Sequence, residues 1–154
     1  MSMDYATVDK DLLRAFPELS PASQDLNANW RGEKPGQYIL FEDVFARYIE
    51  RLLVAPASQA RDTKLHSIFQ FVELMFSSGG EVENLAFVGL LEGRSAAWFQ
   101  AAKPYLGPRA EAALDAYDAN WRTRSSNERS ALAVESHDSY GVAAIAARAL
   151  RVVA

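Results

Sequence analysis

The chain has 154 residues and a formal net charge of -4, enough length for one domain whose core needs no metal or disulfide staple. It holds no cysteine, which excludes disulfides, thiolate zinc sites and cysteine nucleophiles and suits a reducing cytoplasm. The acidic balance argues against unspecific nucleic-acid binding, which needs a basic surface to displace counterions.

At the N-terminus Asp4, Asp9 and Asp11 stand where a secretory signal would carry Lys or Arg, and no apolar run follows. No export signal is expected. No uncharged apolar run approaches the roughly 20 residues that a spanning helix needs, so no membrane insertion is expected either. Tyr5, Val8, Leu12, Leu13 and Phe16 predict a short amphipathic helix closed by Pro17. The periodicity then vanishes until Gln37. Two readings fit that stretch: a short helix over residues 23–30, or a surface loop anchored by Trp30, whose expected role is packing.

Periodicity returns after Pro35-Gly36, where Phe41, Val44, Phe45, Tyr48, Ile49 and Leu52 predict one helix face closed by Pro56. A further helix starts between Ser58 and Asp62 and leads into the stretch that organises the chain, residues 65–92. There Leu65, Ile68, Phe69, Val72, Met75 and Phe76 repeat at helical spacing up to a Ser77-Ser78-Gly79-Gly80 hinge. Leu85 to Leu91 then runs without a charge, which places Ala86, Phe87, Val88, Leu90 and Leu91 at the centre of the core. Gly79 and Gly80 suit a positive φ that ends the first helix, and Glu81 and Glu83 suit the first turn of the next.

Gly93 interrupts that helix, an aromatic segment follows over residues 96–99, and Pro108 is placed to start another helix carrying Ala110, Ala113, Leu114, Tyr117 and Trp121. Ser125 and Glu128 have capping-box spacing, and Val142, Ile145, Ala146, Ala149, Leu150 and Val153 predict a terminal helix. The expected fold is all-α: a single compact bundle of six or seven helices around a central buried hairpin. Residues 1–124 are read as the helical core and 125–154 as a helical extension, packed on the core or on a partner subunit.

The search for chemistry mostly removes options. No nucleophile elbow, His-Glu-x-x-His zinc motif, phosphate loop or calcium loop is present. Neither His66 nor His137 has the Glu-x-x-His spacing of a bundle metal site. Ser136, His137 and Asp138 are adjacent in the chain, a poor arrangement for a triad. His66 reads as a partly buried packing residue, and Gly89 and Gly93 read as helix packing or termination. No cofactor, metal or catalytic group is expected.

Charge is more informative. Residues 65–93 contain no Lys or Arg, yet hold Glu73, Glu81, Glu83 and Glu92. Glu81, Asn84, Val88 and Glu92 fall on one helix side, so two carboxylates and an amide border an oily surface. Those carboxylates either serve their own helix, with Glu92 paired to Arg94 or another arginine, or form an acidic groove. Such a groove could receive a basic partner or hold a glutamate for acid–base chemistry.

The runs LFEDVFARYIERLL, IFQFVELMFSSGGEVENLAFVGLLEG and YLGPRAEAALDAY resemble a family of small helical bacterial proteins akin to the immunity proteins of secreted toxin systems. The resemblance covers roughly residues 38–120, and Glu73, Asn84 and Glu92 match the polar positions of its pattern. It implies a cytoplasmic, non-enzymatic antitoxin that neutralises a cognate toxin with a basic contact surface. Expected contact residues are Glu73, Glu81, Glu83, Asn84 and Glu92, with Trp30 and Trp98 as anchors. Two other readings stay open: a small helical enzyme or ligand-binding bundle using a buried Glu73 or Glu92, and an oligomeric scaffold such as a homodimer exchanging its last helix.

Overall fold

The computed structural model describes residues 2–119. Residues 1–114 form one compact unit and residues 115–154 a second, and the architecture below is that of the first. The chain is all-α, with no strand among the described residues. Its helices are α1 (Val8–Ala15), α2 (Ser20–Asn29), α3 (Gln37–Leu40), α4 (Arg47–Val54), α5 (Gln59–Ser78), α6 (Gly80–Ala86) and α7 (Ala96–Ala102). Two π turns, Phe41–Ala46 and Phe87–Leu91, extend α3 and α6, and the chain is helical again over residues 108–119. The boundary expected at Arg124, the Ser125 and Glu128 capping box, the Ser136 to Asp138 cluster and the terminal helix all lie outside the described residues.

Helix α5 forms where the sequence predicts it. Ser58 is its N-cap, its Oγ accepting from the Arg61 amide at 3.1 Å, and its apolar stripe continues to the hinge. Leu65, Ile68, Phe69, Val72, Met75 and Phe76 are buried as expected, and Phe71 is buried as well. Burial on two sides makes α5 the central element. Phe71 meets Phe16 and Phe45 edge-on at 5.6 and 5.9 Å, while Phe69 stacks on Tyr105 at 6.2 Å and meets Trp98 edge-on. Gly79 ends the helix at φ 71°, ψ -177°, a region that only glycine occupies freely. A methyl group there would touch nothing. Gly79→Ala is therefore expected to cost about 1–3 kcal/mol through backbone strain alone, read by urea unfolding.

The two π turns explain where the predicted helix faces fail. Each adds one residue to a turn, and at about 100° per residue this swings every later side chain round by one position. Residues 42 and 49, and 44 and 51, would face the same way on a regular helix. Instead Glu42 is exposed while Ile49 is buried, and Val44 is buried while Arg51 is exposed. The stripe expected from Phe41 to Leu52 is thus corrected. Tyr48 and Leu52 are only half-buried, and Ala46 and Leu53 take their place in the core.

The same shift acts after α6. A regular helix would set Leu91 beside exposed Asn84 and Glu92 beside buried Leu85, about 20° away in each case. The π turn, closed by the Glu92 amide on the Phe87 carbonyl at 2.8 Å, buries Leu91 and exposes Glu92. The expectation of a helix buried all round is corrected as well, since Val88 is 40% exposed and Phe87 only half-buried. The two π turns pack on one another. A methyl group at buried Gly89 would stand 3.6 Å from the Cβ of Phe41, an ordinary contact that places the two backbones close together.

The stretch without periodicity contains helix α2, one of its two expected readings, while Trp30 at the end of that helix is 39% exposed instead of packed. The following loop is held by Asp9, whose buried carboxylate accepts from Lys34 Nζ at 2.5 Å and Gln37 Nε2 at 3.2 Å. Burial by itself would raise the Asp9 pKa, but the two donated hydrogen bonds and the Lys34 charge outweigh it and hold the group below its ordinary value. A carboxyl depressed in the folded state contributes stability above its unfolded pKa of about 3.9 and loses it as pH falls through the folded value. The stability gap between the wild-type chain and Asp9→Asn should therefore be full at pH 7 and shrink in thermal melts taken below about pH 4.

Candidate functional site

The Gly79-Gly80 hinge starts α6 and places Glu81 and Glu83 in its first turn, where exposed amides favour carboxylates. Glu81, Glu83, Asn84, Val88 and Glu92 are all exposed. Among the described residues no Lys or Arg pairs with the three glutamates. Arg94, which could have neutralised Glu92, instead donates from Nε to the Leu90 carbonyl at 2.9 Å and from its terminal nitrogen to the Gly89 carbonyl at 3.3 Å. Its charge thereby serves the carbonyl end of the π turn.

Two open hollows flank the first turn of α6. One, of about 360 Å³, is lined by Phe76, Gly80, Glu83, Asn84, Phe87 and Ala113. The other, of about 370 Å³, has Asp4, Tyr5, Glu81 and Val82 among its lining residues. Asn84 donates to the Tyr38 hydroxyl at 2.6 Å, and the Tyr38 ring lies 6.4 Å from that of Tyr5. Burial first, then the neighbouring Tyr38 and Glu81, push the Tyr5 pKa up. Tyr5 therefore lies within the negative field of Glu81.

The other expected contact residues sit elsewhere. Glu73 is half-buried, and its carboxylate accepts from the amides of Arg109 at 2.8 Å and Ala110 at 3.2 Å. Trp98 is 8% exposed and packs on Phe69 and Phe99, which takes it out of any role as a surface anchor. Trp30 is exposed but caps α2, a different element. His66 is exposed, not partly buried, with its ring edge-on to Tyr105 at 4.9 Å. Neither glutamate proposed for acid–base chemistry is a buried free carboxylate: Glu92 faces solvent and Glu73 is committed to two amides. Among the described residues no group of three or more His, Asp or Glu is placed to hold a metal ion. None of their helices is long and apolar enough to cross a membrane.

Sequence reasoning missed Asp4, Tyr5 and Tyr38 as neighbours of this face. The acidic and aromatic residues of the first segment were visible, but nothing local says that they meet α6. A family model described as Domain of unknown function (DUF7674) matches residues 10–122. The chain belongs to the DUF7674 family. No curated protein and no solved structure matches it. The DUF7674 match runs from within α1 past the last described residue, so it takes in α5, α6, both π turns and Tyr38. It leaves out Asp4 and Tyr5.

Proposed function

We propose that this DUF7674 chain is a non-catalytic binding protein of the immunity type, which neutralises a cognate bacterial toxin in the cytoplasm by holding a basic surface of it. The observation that supports this most is the α6 face itself. Glu81, Glu83 and Glu92 are exposed on α6 and its continuation, as is the apolar Val88, with no cationic partner for the three glutamates among the described residues. Neighbouring carboxylates repel one another, and a partner carrying Lys or Arg relieves that repulsion while its own charge is matched. The carboxylates speed and orient the encounter, whereas energy comes from the few groups that lose water on contact, Val88 and the half-buried Phe87 on this face.

The resemblance to immunity proteins chooses the toxin as partner; charge alone asks only for a basic surface. Co-expression with the product of the adjacent gene tests the reading. Cells should survive when the wild-type chain is present and die when Glu81→Lys and Glu83→Lys are combined in a chain that remains folded. Killing that continues beside soluble, folded wild-type chain would remove the reading.

A further inference from the structure

The helix that begins at residue 108 lacks its own cap. Its first intrahelical bond runs from the Glu111 amide to the Gly107 carbonyl at 3.0 Å, which makes Gly107 the N-cap residue, and glycine has no side chain to offer. Pro108 has no amide hydrogen, so the free donors of this first turn are the Arg109 and Ala110 amides. Both go to Glu73, one to each carboxylate oxygen, from the middle of α5. A Cβ at residue 107 would lie 2.4 Å from one Glu73 oxygen, so the carboxylate or the turn would have to shift.

Over residues 107–114 little apolar surface is buried. Ala110 is the one buried residue there, and Ala113 and Leu114 are half-buried. Alanine brings little apolar area, so among the described residues the two charge-assisted bonds are a main part of the attachment of residues 107–114. Ala113 also walls the hollow of about 360 Å³ whose other side is α6, with Phe76 in its lining.

We propose that residues 107–114 are a strap latched by Glu73, which opens without the rest of the bundle and controls access to the Phe76 side of the α6 face. Elements with little buried apolar surface occupy the low end of the local stability range and open below the energy of global unfolding. Release of the strap removes the Ala113 wall and uncovers the apolar floor at Phe76. The geometry of the latch does not rest on the binding reading above, and it is tested on the free chain.

Amide hydrogen exchange on the full chain, followed residue by residue for wild type, Glu73→Ala, Glu73→Gln and Gly107→Ala, decides the matter. Loss of the carboxylate should speed exchange at Arg109 and Ala110 by roughly tenfold, the size of a lost helix cap, while the α5 amides between Leu65 and Phe76 keep their rates. Gly107→Ala should do the same by displacing the carboxylate while residue 73 stays a glutamate, and Glu73→Gln, which keeps one acceptor oxygen, should fall between. Unchanged exchange at residues 109 and 110 would overturn the latch. Acceleration spread equally through α5 would overturn the strap, since the segment would then open only with the whole unit.

Discussion

Phe45→Ala should destabilise the bundle by about 3–5 kcal/mol, the range for removing a large aromatic from a closed core. Phe45 is fully buried at the junction of three others. Its ring stacks on Phe16 at 5.7 Å and meets Phe41 and Phe71 edge-on at 5.7 and 5.9 Å. These contacts join the end of α1, the first π turn and the middle of α5, so no single neighbour can move in to fill the space. The loss combines the transfer energy of the ring with the cavity left behind. Urea unfolding of the full chain measures it, and a loss under about 1 kcal/mol would place Phe45 outside the core.

Leu91→Asn against Val88→Asn is the second large contrast, and it tests the π-turn register directly. Leu91 is 1% exposed and Val88 is 40% exposed. Asparagine at residue 91 would bury an amide where a leucine packs, losing the apolar transfer energy and leaving polar atoms without partners. The expected cost is about 3 kcal/mol or more. The same change at residue 88 reaches solvent and should cost less than about 1 kcal/mol. A regular α-helix in place of the π turn predicts small and similar losses at both positions, because residues 88 and 91 would each share a side with exposed Asn84. Paired thermal melts separate the two geometries.

Much of the fold was legible because helix periodicity survives wherever the helix is regular. The α5 stripe from Leu65 to Phe76, the Ser58 start, the glycine hinge and the Pro108 start were all readable from local residues. The π turns were not. A one-residue insertion still looks like an apolar helix over one or two turns, so Tyr48 and Leu52 were assigned to the core in place of Ala46 and Leu53. Val88 was assigned to the core for a different reason, the absence of any charge from Leu85 to Leu91. An uncharged run carries no polar marker of its outer side.

The candidate site was legible in part. Glu81, Glu83, Asn84 and Glu92 lie on α6 and its continuation, and the absence of Lys and Arg from that stretch is a sequence fact. What failed depended on contacts between distant residues. The Glu73 carboxylate is occupied by amides 36 and 37 residues further along the chain. Nothing local shows that Asp9 is buried beneath Lys34 and Gln37. Of the two tryptophans offered as surface anchors, Trp30 is exposed and Trp98 is packed on Phe69, and the packing expected of Trp30 is not found.

Calorimetric titration of the full chain with the purified product of the adjacent gene, at two salt concentrations, tests the binding face most directly. An acidic contact surface predicts association that weakens as salt rises, because screening acts on exposed charges. It also predicts loss of that association when Glu81, Glu83 and Glu92 are all changed to Lys in a chain whose melting temperature is kept. Equal affinity for the wild-type and triply reversed chains would contradict it.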